Sequence, residues 1–293
     1  MLFNELYDQW LDLYKQKVKQ KTYDNTVSAF ENHILPIFGT LEIEKVTSLY
    51  VLEAMQELSQ KSAYLTNRLL QQIVKIYNFG KVLGYIQYNP ATGVSDFLPS
   101  VKHINHPHLS FEKFRYFVQY LDTTKESTAK DALFMIIYTS LRLSEVICAE
   151  WSEIDFKNKR WTIPAHRMKN GIEHTIPITK PMNLILRKLQ KKKQSNYIFF
   201  NQNKNDEHVP AHRVRYLIER SKFYGRQTIH GIRHVFSTYA NEQRYNADVI
   251  EAQLSHKQKG VRAVYNKSIY LDERRRMMMN WGRKIDSIRL QST

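Results

Sequence analysis

The chain has 293 residues and is 42% hydrophobic, long enough for two domains or one large one and too apolar for wholesale disorder. Its single cysteine, Cys148, excludes an intramolecular disulfide framework and points to a reducing compartment. The net charge of +16 and pI of about 9.7 favour a polyanionic partner, with nucleic acid ahead of membrane or acidic protein. That charge is segregated: residues 1–108 hold ten basic and ten acidic side chains, residues 109–293 hold 34 and 18. Within the first block, 1–60 is net −4 and 61–108 net +4. Glu5, Asp8 and Asp12 at the start do not make a signal peptide, and no apolar run approaches the roughly 18 residues of a membrane span. The expectation is a soluble, cytoplasmic, nucleoid-associated protein with no membrane partner.

In chain order, Phe3, Leu6, Tyr7, Trp10, Leu11, Tyr14 and Val18 recur at helical spacing. A second helix is predicted from near Thr26 to Leu35, ended by Pro36 and Gly39, and two more over 46–58 and 63–83. Lys61, Arg68 and Lys75 lie seven residues apart, close to two turns, and are expected to line one basic face. The blander reading is a solvated stripe. Asn89-Pro90, Pro99 and the stretch from His103 to His108 mark a linker over 97–109. Ser110 is expected to cap a helix through Leu121, and the apolar run Ala132 to Tyr138 to form another. Residues 161–164 and 174–178 alternate like strands around Asn170-Gly171, a hairpin signal. Pro181 opens a further helix, Tyr197 to Phe200 reads as a short strand, and helices follow from Val209. The fold class is therefore mainly α with a small β-hairpin or sheet.

Several polar residues stand out, each weak alone. His230 and Arg233 sit one helical turn apart; the flat Arg fork suits phosphate oxygens. His230 and His234 could instead be read as a metal pair, but a zinc-protease helix would need Glu where Gly231 stands. Arg142 follows the apolar helix, with Glu145 three residues on to orient it; the plain alternative is an intrahelical ion pair of little worth. Lys169 precedes the hairpin turn, where a lysine is ordinarily a solvated charge. Tyr265 is one of 18 tyrosines, and a free phenol with pKa near 10 needs cationic neighbours or a proton acceptor to become a nucleophile.

Taken together and in order, Arg142…Glu145, Lys169, His230-x-x-Arg233, His256 and Tyr265 resemble the tyrosine recombinase (phage integrase) family. Thr139-Ser140-Leu141-Arg142-Leu143-Ser144-Glu145 is similar to its T-G-L-R-x-x-E motif. Residues 229–239 are similar to H-x-L-R-H-x-F-A-T, and Leu254-Ser255-His256 to L-G-H. The stretches 264–268 and 270–275 resemble the tail of integrases of the P4 type. Ser140 and Ser255 replace family glycines, and Ile232 the usual Leu.

The resemblance implies a helical, SAM-like core-binding domain over 1–96, the linker 97–109, and an α+β catalytic domain with a tail helix over 110–293. It implies a site-specific DNA recombinase or integrase that cleaves and rejoins DNA through a 3′-phosphotyrosyl link, for integration or excision of a mobile element or prophage. Tyr265 would be the nucleophile, with Tyr270 a rival better suited to a helix surface. Arg142 and Arg233 would hold the non-bridging oxygens and Lys169 would protonate the leaving 5′-hydroxyl. His230 and His256 would assist, Glu145 would support Arg142, and Lys61, Arg68 and Lys75 would bind DNA. No cofactor or metal is required, since bond energy is kept in the phosphotyrosine. The implied partners are double-stranded attachment sites, a homotetramer on paired DNA, and directionality or DNA-bending accessory proteins. The amphipathic tail with Met277, Met278, Met279 and Trp281 is expected to dock on a neighbouring subunit, its own core being the alternative. P4-type relatives carry a further N-terminal arm-binding domain that these residues lack, so the expectation is a shortened form or a protein that works without arm sites. A type IB topoisomerase-like relaxase and a non-catalytic DNA-binding regulator on the same fold are the rival readings.

Overall fold

The computed structural model describes residues 1–100, 106–201, 203–256 and 269–292. Packing divides the chain into two compact units, Met1–Ile104 and Asn105–Thr293, each around its own core.

The first unit is helical: α1 (Phe3–Lys17), α2 (Gln20–His33), α3 (Leu35–Phe38) and α4 (Ser48–Val82). Helical spacing turns Phe3, Leu6, Tyr7 and Trp10 of α1 inward, onto Phe30, Phe38 and Tyr77. Helix α2 starts six residues before the expected Thr26, because its first turns are polar and exposed and carry no apolar period to read. Pro36 does not end that helix; it lies in the first turn of α3, where its missing N–H is harmless. Helix α4 is broken at Ser62, whose backbone is extended (φ −163°, ψ 100°) and whose hydroxyl accepts from the Leu65 amide at 3.3 Å. Lys61 therefore lies before the break and Arg68 and Lys75 after it. The three do not share one helical face, because seven-residue spacing keeps register only through unbroken helix.

The second unit runs α5 (Phe111–Thr123), α6 (Thr128–Thr139), α7 (Leu143–Ile147), β1 (Ile154–Asp155), β2 (Arg160–Ile163) and β3 (His174–Pro177). It continues α8 (Lys180–Gln190), β4 (Phe200–Asn201), β5 (Lys204–His208), α9 (Ala211–Glu219), α10 (Ile229–Glu242), α11 (Ala247–Gln253) and α12 (Leu271–Arg289). Helix α6 is buried from Ala129 to Thr139 and forms the axis of the core. Ser110 precedes α5, but its hydroxyl makes no capping bond. Strands β1, β2 and β3 form an antiparallel sheet in that order, with Ile163 opposite His174. The connection between β2 and β3 is therefore residues 164–173, not a tight two-residue hairpin, although Gly171 does take a left-handed turn (φ 71°). The strand expected at 197–200 is displaced: Tyr197 bridges Glu150, and Phe200–Asn201 pairs with β5, which has too little apolar alternation to announce itself.

Helix α12 is a wall of this unit's own core. Met277, Met278, Trp281, Ile285 and Ile288 are buried, and the Trp281 indole donates to the Ile137 carbonyl of α6 at 2.7 Å. In this chain the apolar stripe is covered in cis, which is the alternative to the expected docking on a neighbouring subunit. Met279 alone of the three methionines faces out. Among the described residues no helix is long and apolar enough to cross a membrane.

Candidate active site

The site grows from two sharp backbone turns. Ser140 ends α6 with φ 55° and Ser255 follows α11 with φ 53°, the left-handed conformation that favours glycine and strains a serine by about 1 kcal/mol or more. The first turn throws Arg142 out of the core; the second swings His256 back over α11. Both serines stand where the motifs of the resembled family carry glycine, so the backbone shape is kept without the residue that suits it best.

Arg142 stands at the N-terminus of α7 and is held by both oxygens of Glu145. One accepts from the Arg142 side chain at 2.7 Å, the other from its backbone N–H at 2.8 Å. Glu145 is only 2% exposed, so a buried carboxylate fixes the arginine while 25% of the Arg142 side chain stays open. This is more than an exposed intrahelical pair, because a desolvated acceptor has no competing water.

Arg233, on the first turns of α10, reaches across to both turns. One terminal nitrogen donates to the Ser140 carbonyl at 2.5 Å; the other donates to the Leu254 carbonyl at 2.6 Å and to His256 Nε2 at 3.0 Å. Burial and the charge of Arg142 lower its pKa to about 10, so it stays cationic at neutral pH. His256 Nδ1 lies 2.8 Å from Glu251. A carboxylate accepts and a guanidinium donates, so both contacts are met by a neutral ring with its proton on Nδ1 and its lone pair on Nε2. His230, one turn before Arg233, packs its ring 4.4 Å from His106 and 5.7 Å from His234. Burial, then His106, Arg233 and His234, depress its pKa to about 4.

Lys169 is exposed and makes no hydrogen bond or ion pair among the described residues. Its loop is nonetheless tied to the site at both ends. Asn170 donates to the Ser255 hydroxyl at 3.4 Å, and Arg167 donates to the Glu145 carbonyl at 2.8 Å while pairing with Glu153. Tyr265 lies outside the described residues. Tyr270 does not sit on a helix surface: it precedes α12 in a left-handed conformation (φ 47°) and packs half-buried on the core. Lys61, Arg68 and Lys75 belong to the first unit and are exposed. His230 and His234 do not form a metal pair with a third ligand; among the described residues no group of three His, Cys, Asp or Glu is placed to hold a metal ion.

Sequence reasoning missed a second layer. Arg274 of α12 is 2% exposed; it donates to the Gln253 side chain at 3.0 Å and to the Ile269 carbonyl at 3.3 Å. Gln253 in turn donates to the Thr139 carbonyl at 2.8 Å. His174 of β3 lies between them, its Nε2 3.3 Å from the Gln253 carbonyl and 3.4 Å from Arg274, and burial with that guanidinium drives its pKa to about 3. Glu251 was missed because it precedes His256 by five residues, a separation that faces it only after the Ser255 turn reverses the chain. The signal for Arg274 was a charge at a position whose helical neighbours Met277, Met278 and Trp281 are all apolar.

Comparison with known proteins agrees with this architecture. The model of the phage integrase family matches residues 108–271, and that of the phage integrase N-terminal SAM-like domain matches residues 2–59. The integrase of Shigella phage Sf6 is 31% identical over 97% of this chain and 75% of its own length. The prophage integrase IntS of Escherichia coli K12 is 30% identical over the same shares. Among solved structures, a lambda integrase tetramer bound to a Holliday junction superposes with a TM-score of 0.72 at 15% identity, over 89% of this chain and 79% of that one. The chain belongs to the phage integrase family. It is a site-specific tyrosine recombinase of the kind that acts in phage and prophage integration.

Proposed function

We propose that Tyr265 attacks a phosphodiester of a double-stranded attachment site, giving a 3′-phosphotyrosyl link and a free 5′-hydroxyl. The hydroxyl of a second, paired strand then reverses the step. In this reading Arg142 and Arg233 hold the non-bridging oxygens, where charge builds up in the pentacovalent transition state. His256, with Nδ1–H on Glu251 and its Nε2 lone pair accepting from Arg233, assists charge stabilisation and takes up the phenol proton once that Arg233 contact opens; His230, neutral, donates to a phosphate oxygen. Lys169 gives its proton to the leaving oxygen, and Glu145 holds Arg142. Residues 1–96 and 110–293 act as DNA-binding and catalytic domains joined by 97–109, with Arg68 and Lys75 among the phosphate contacts. The assembly is a tetramer on two paired duplexes, by analogy with the lambda integrase tetramer bound to a Holliday junction. Attachment-site DNA, directionality or DNA-bending accessory proteins, and a cytoplasmic, nucleoid-associated setting complete the reading.

The observation that carries it is the guanidinium of Arg233, which joins the backbone before Arg142 to the backbone before His256. Three segments far apart in sequence thereby converge on one guanidinium. The test is a nicked suicide duplex in EDTA. Wild type is expected to form a covalent protein–DNA adduct and Tyr265→Phe none; an undiminished adduct with Tyr265→Phe sinks the assignment.

A further inference from the structure

The first described stretch of the second unit, His106-Pro107-His108-Leu109, is strapped across the start of α10. The Pro107 carbonyl accepts from the Thr228 amide at 3.1 Å and from its hydroxyl at 3.2 Å. The Leu109 amide donates to the buried Gln227 side chain at 3.0 Å. The His108 ring stacks on His234 at 5.0 Å, and the His106 ring packs on His230 at 4.4 Å. This close crossing is possible only over a glycine. A Cβ at Gly231 would lie 2.4 Å from the Pro107 oxygen and 2.9 Å from the His108 Cβ, both too close for any real contact. The residue that follows His230 in the helix is thus set by the strap, not by phosphate chemistry.

We propose that His106 is a positioning residue for His230: its ring, carried on a strap that only Gly231 admits, holds the His230 imidazole toward Arg142 and Arg233. Three observations meet here. The two ring centroids lie 4.4 Å apart with their planes tilted by 53°, so the rings are in direct contact. The strap is held by backbone bonds at His106's neighbour Pro107 and again at Leu109, which fix where the His106 side chain leaves the chain. And burial first, then repulsion from His106 at this distance, lowers the His230 pKa and favours a neutral donor. The groups facing His230 all push the same way: His106 from the strap, Arg233 and His234 from its own helix, Arg142 from α7. His106 itself is exposed, so its replacement leaves the core intact.

The rate arm of the test rests on the recombinase reading; a titration arm does not. In the full chain, the imidazole nitrogens of His230 are followed by NMR across pH in wild type and in His106→Phe, with His230→Gln identifying the signal. Phe keeps the packing and removes a like charge, so the His230 midpoint is expected to rise. In single-turnover cleavage of the suicide duplex, His106→Ala and Gly231→Ala are expected to slow adduct formation by about tenfold to a hundredfold at unchanged DNA affinity. His106→Phe keeps the neutral-pH rate and loses activity on the acid side at a higher pH than wild type. A His230 midpoint unmoved by His106→Phe, or a His106→Ala rate equal to wild type, overturns the proposal. A wild-type chain that forms no adduct overturns the recombinase reading instead, and the titration then decides the His106 contact by itself.

Discussion

Arg233 commits three of its five N–H donors before any substrate arrives: to Ser140, Leu254 and His256. Two remain, one on Nη1 and one on Nε. A lysine has three donors on one atom and cannot bridge the two turns from separate nitrogens while keeping donors on others free. Arg233→Lys is therefore expected to lose about a hundredfold to a thousandfold in single-turnover cleavage, with DNA affinity nearly kept. A proportional loss of affinity in a binding titration would show that the arginine serves binding alone. His174 and His230 carry a pH signature. Their folded pKa values, about 3 and about 4, lie below the ordinary value of 6.5, so between these limits the unfolded chain binds protons that the folded chain refuses. For the buried His174, stability is then complete above pH 6.5 and falls as pH drops, by up to about 1.4 kcal/mol per pH unit; for His230, whose side chain is exposed, solvent screening makes the loss smaller. Thermal unfolding at pH 7 and pH 5 checks this; His174→Asn is expected to flatten the slope, and an unchanged slope would remove His174 as its source. At this scale much was legible. The Arg142–Glu145 pair, the His230–Arg233 turn and His256 could be named because their residue types suit an anion. Glu251, His174 and Arg274 could not, because each acquires its partner only after the chain doubles back.

Helix α12 shows what an amphipathic pattern does and does not say. The stripe Met277, Met278, Trp281 and Ile285 announces one buried face but is silent on whose surface buries it. Here Trp281 fills the space among Phe111, Phe114, Phe236 and Tyr239 and bonds to α6. Trp281→Ala is expected to cost about 3–5 kcal/mol, read as a lowered midpoint in urea unfolding. A near-neutral change would return the helix to a partner. Helix α4 makes the complementary point. Periodicity marked two helical stretches around Ser62, yet seven-residue spacing placed Lys61 on a shared face that the break abolishes. The β2–β3 connection was read as a hairpin from Asn170-Gly171. The strands do pair, but the register Ile163 to His174 opens a longer loop, which carries Lys169 and reaches Ser255.

Across the whole molecule the charge is uneven: the +16 resides in residues 109–293, and the first block is neutral. DNA affinity is expected to fall linearly in log–log salt titrations, and replacing both Arg68 and Lys75 by Gln to reduce the slope by roughly 2, about 0.9 for each phosphate no longer neutralised. An unchanged slope would remove that face from the DNA-binding surface. The sequence by itself determined the family, the mainly helical class and the order of the polar groups. Those follow from residue type, spacing and net charge, which are local or summed quantities. Only the tertiary structure decided that α12 belongs to its own core, that Lys61 leaves the basic face, and that a strap passes over Gly231 to set His106 on His230. Each of these depends on which surfaces meet after the chain turns. Left-handed turns at Ser140 and Ser255, and a crossing that tolerates no Cβ, bring together residues whose separation along the chain carries no hint of contact.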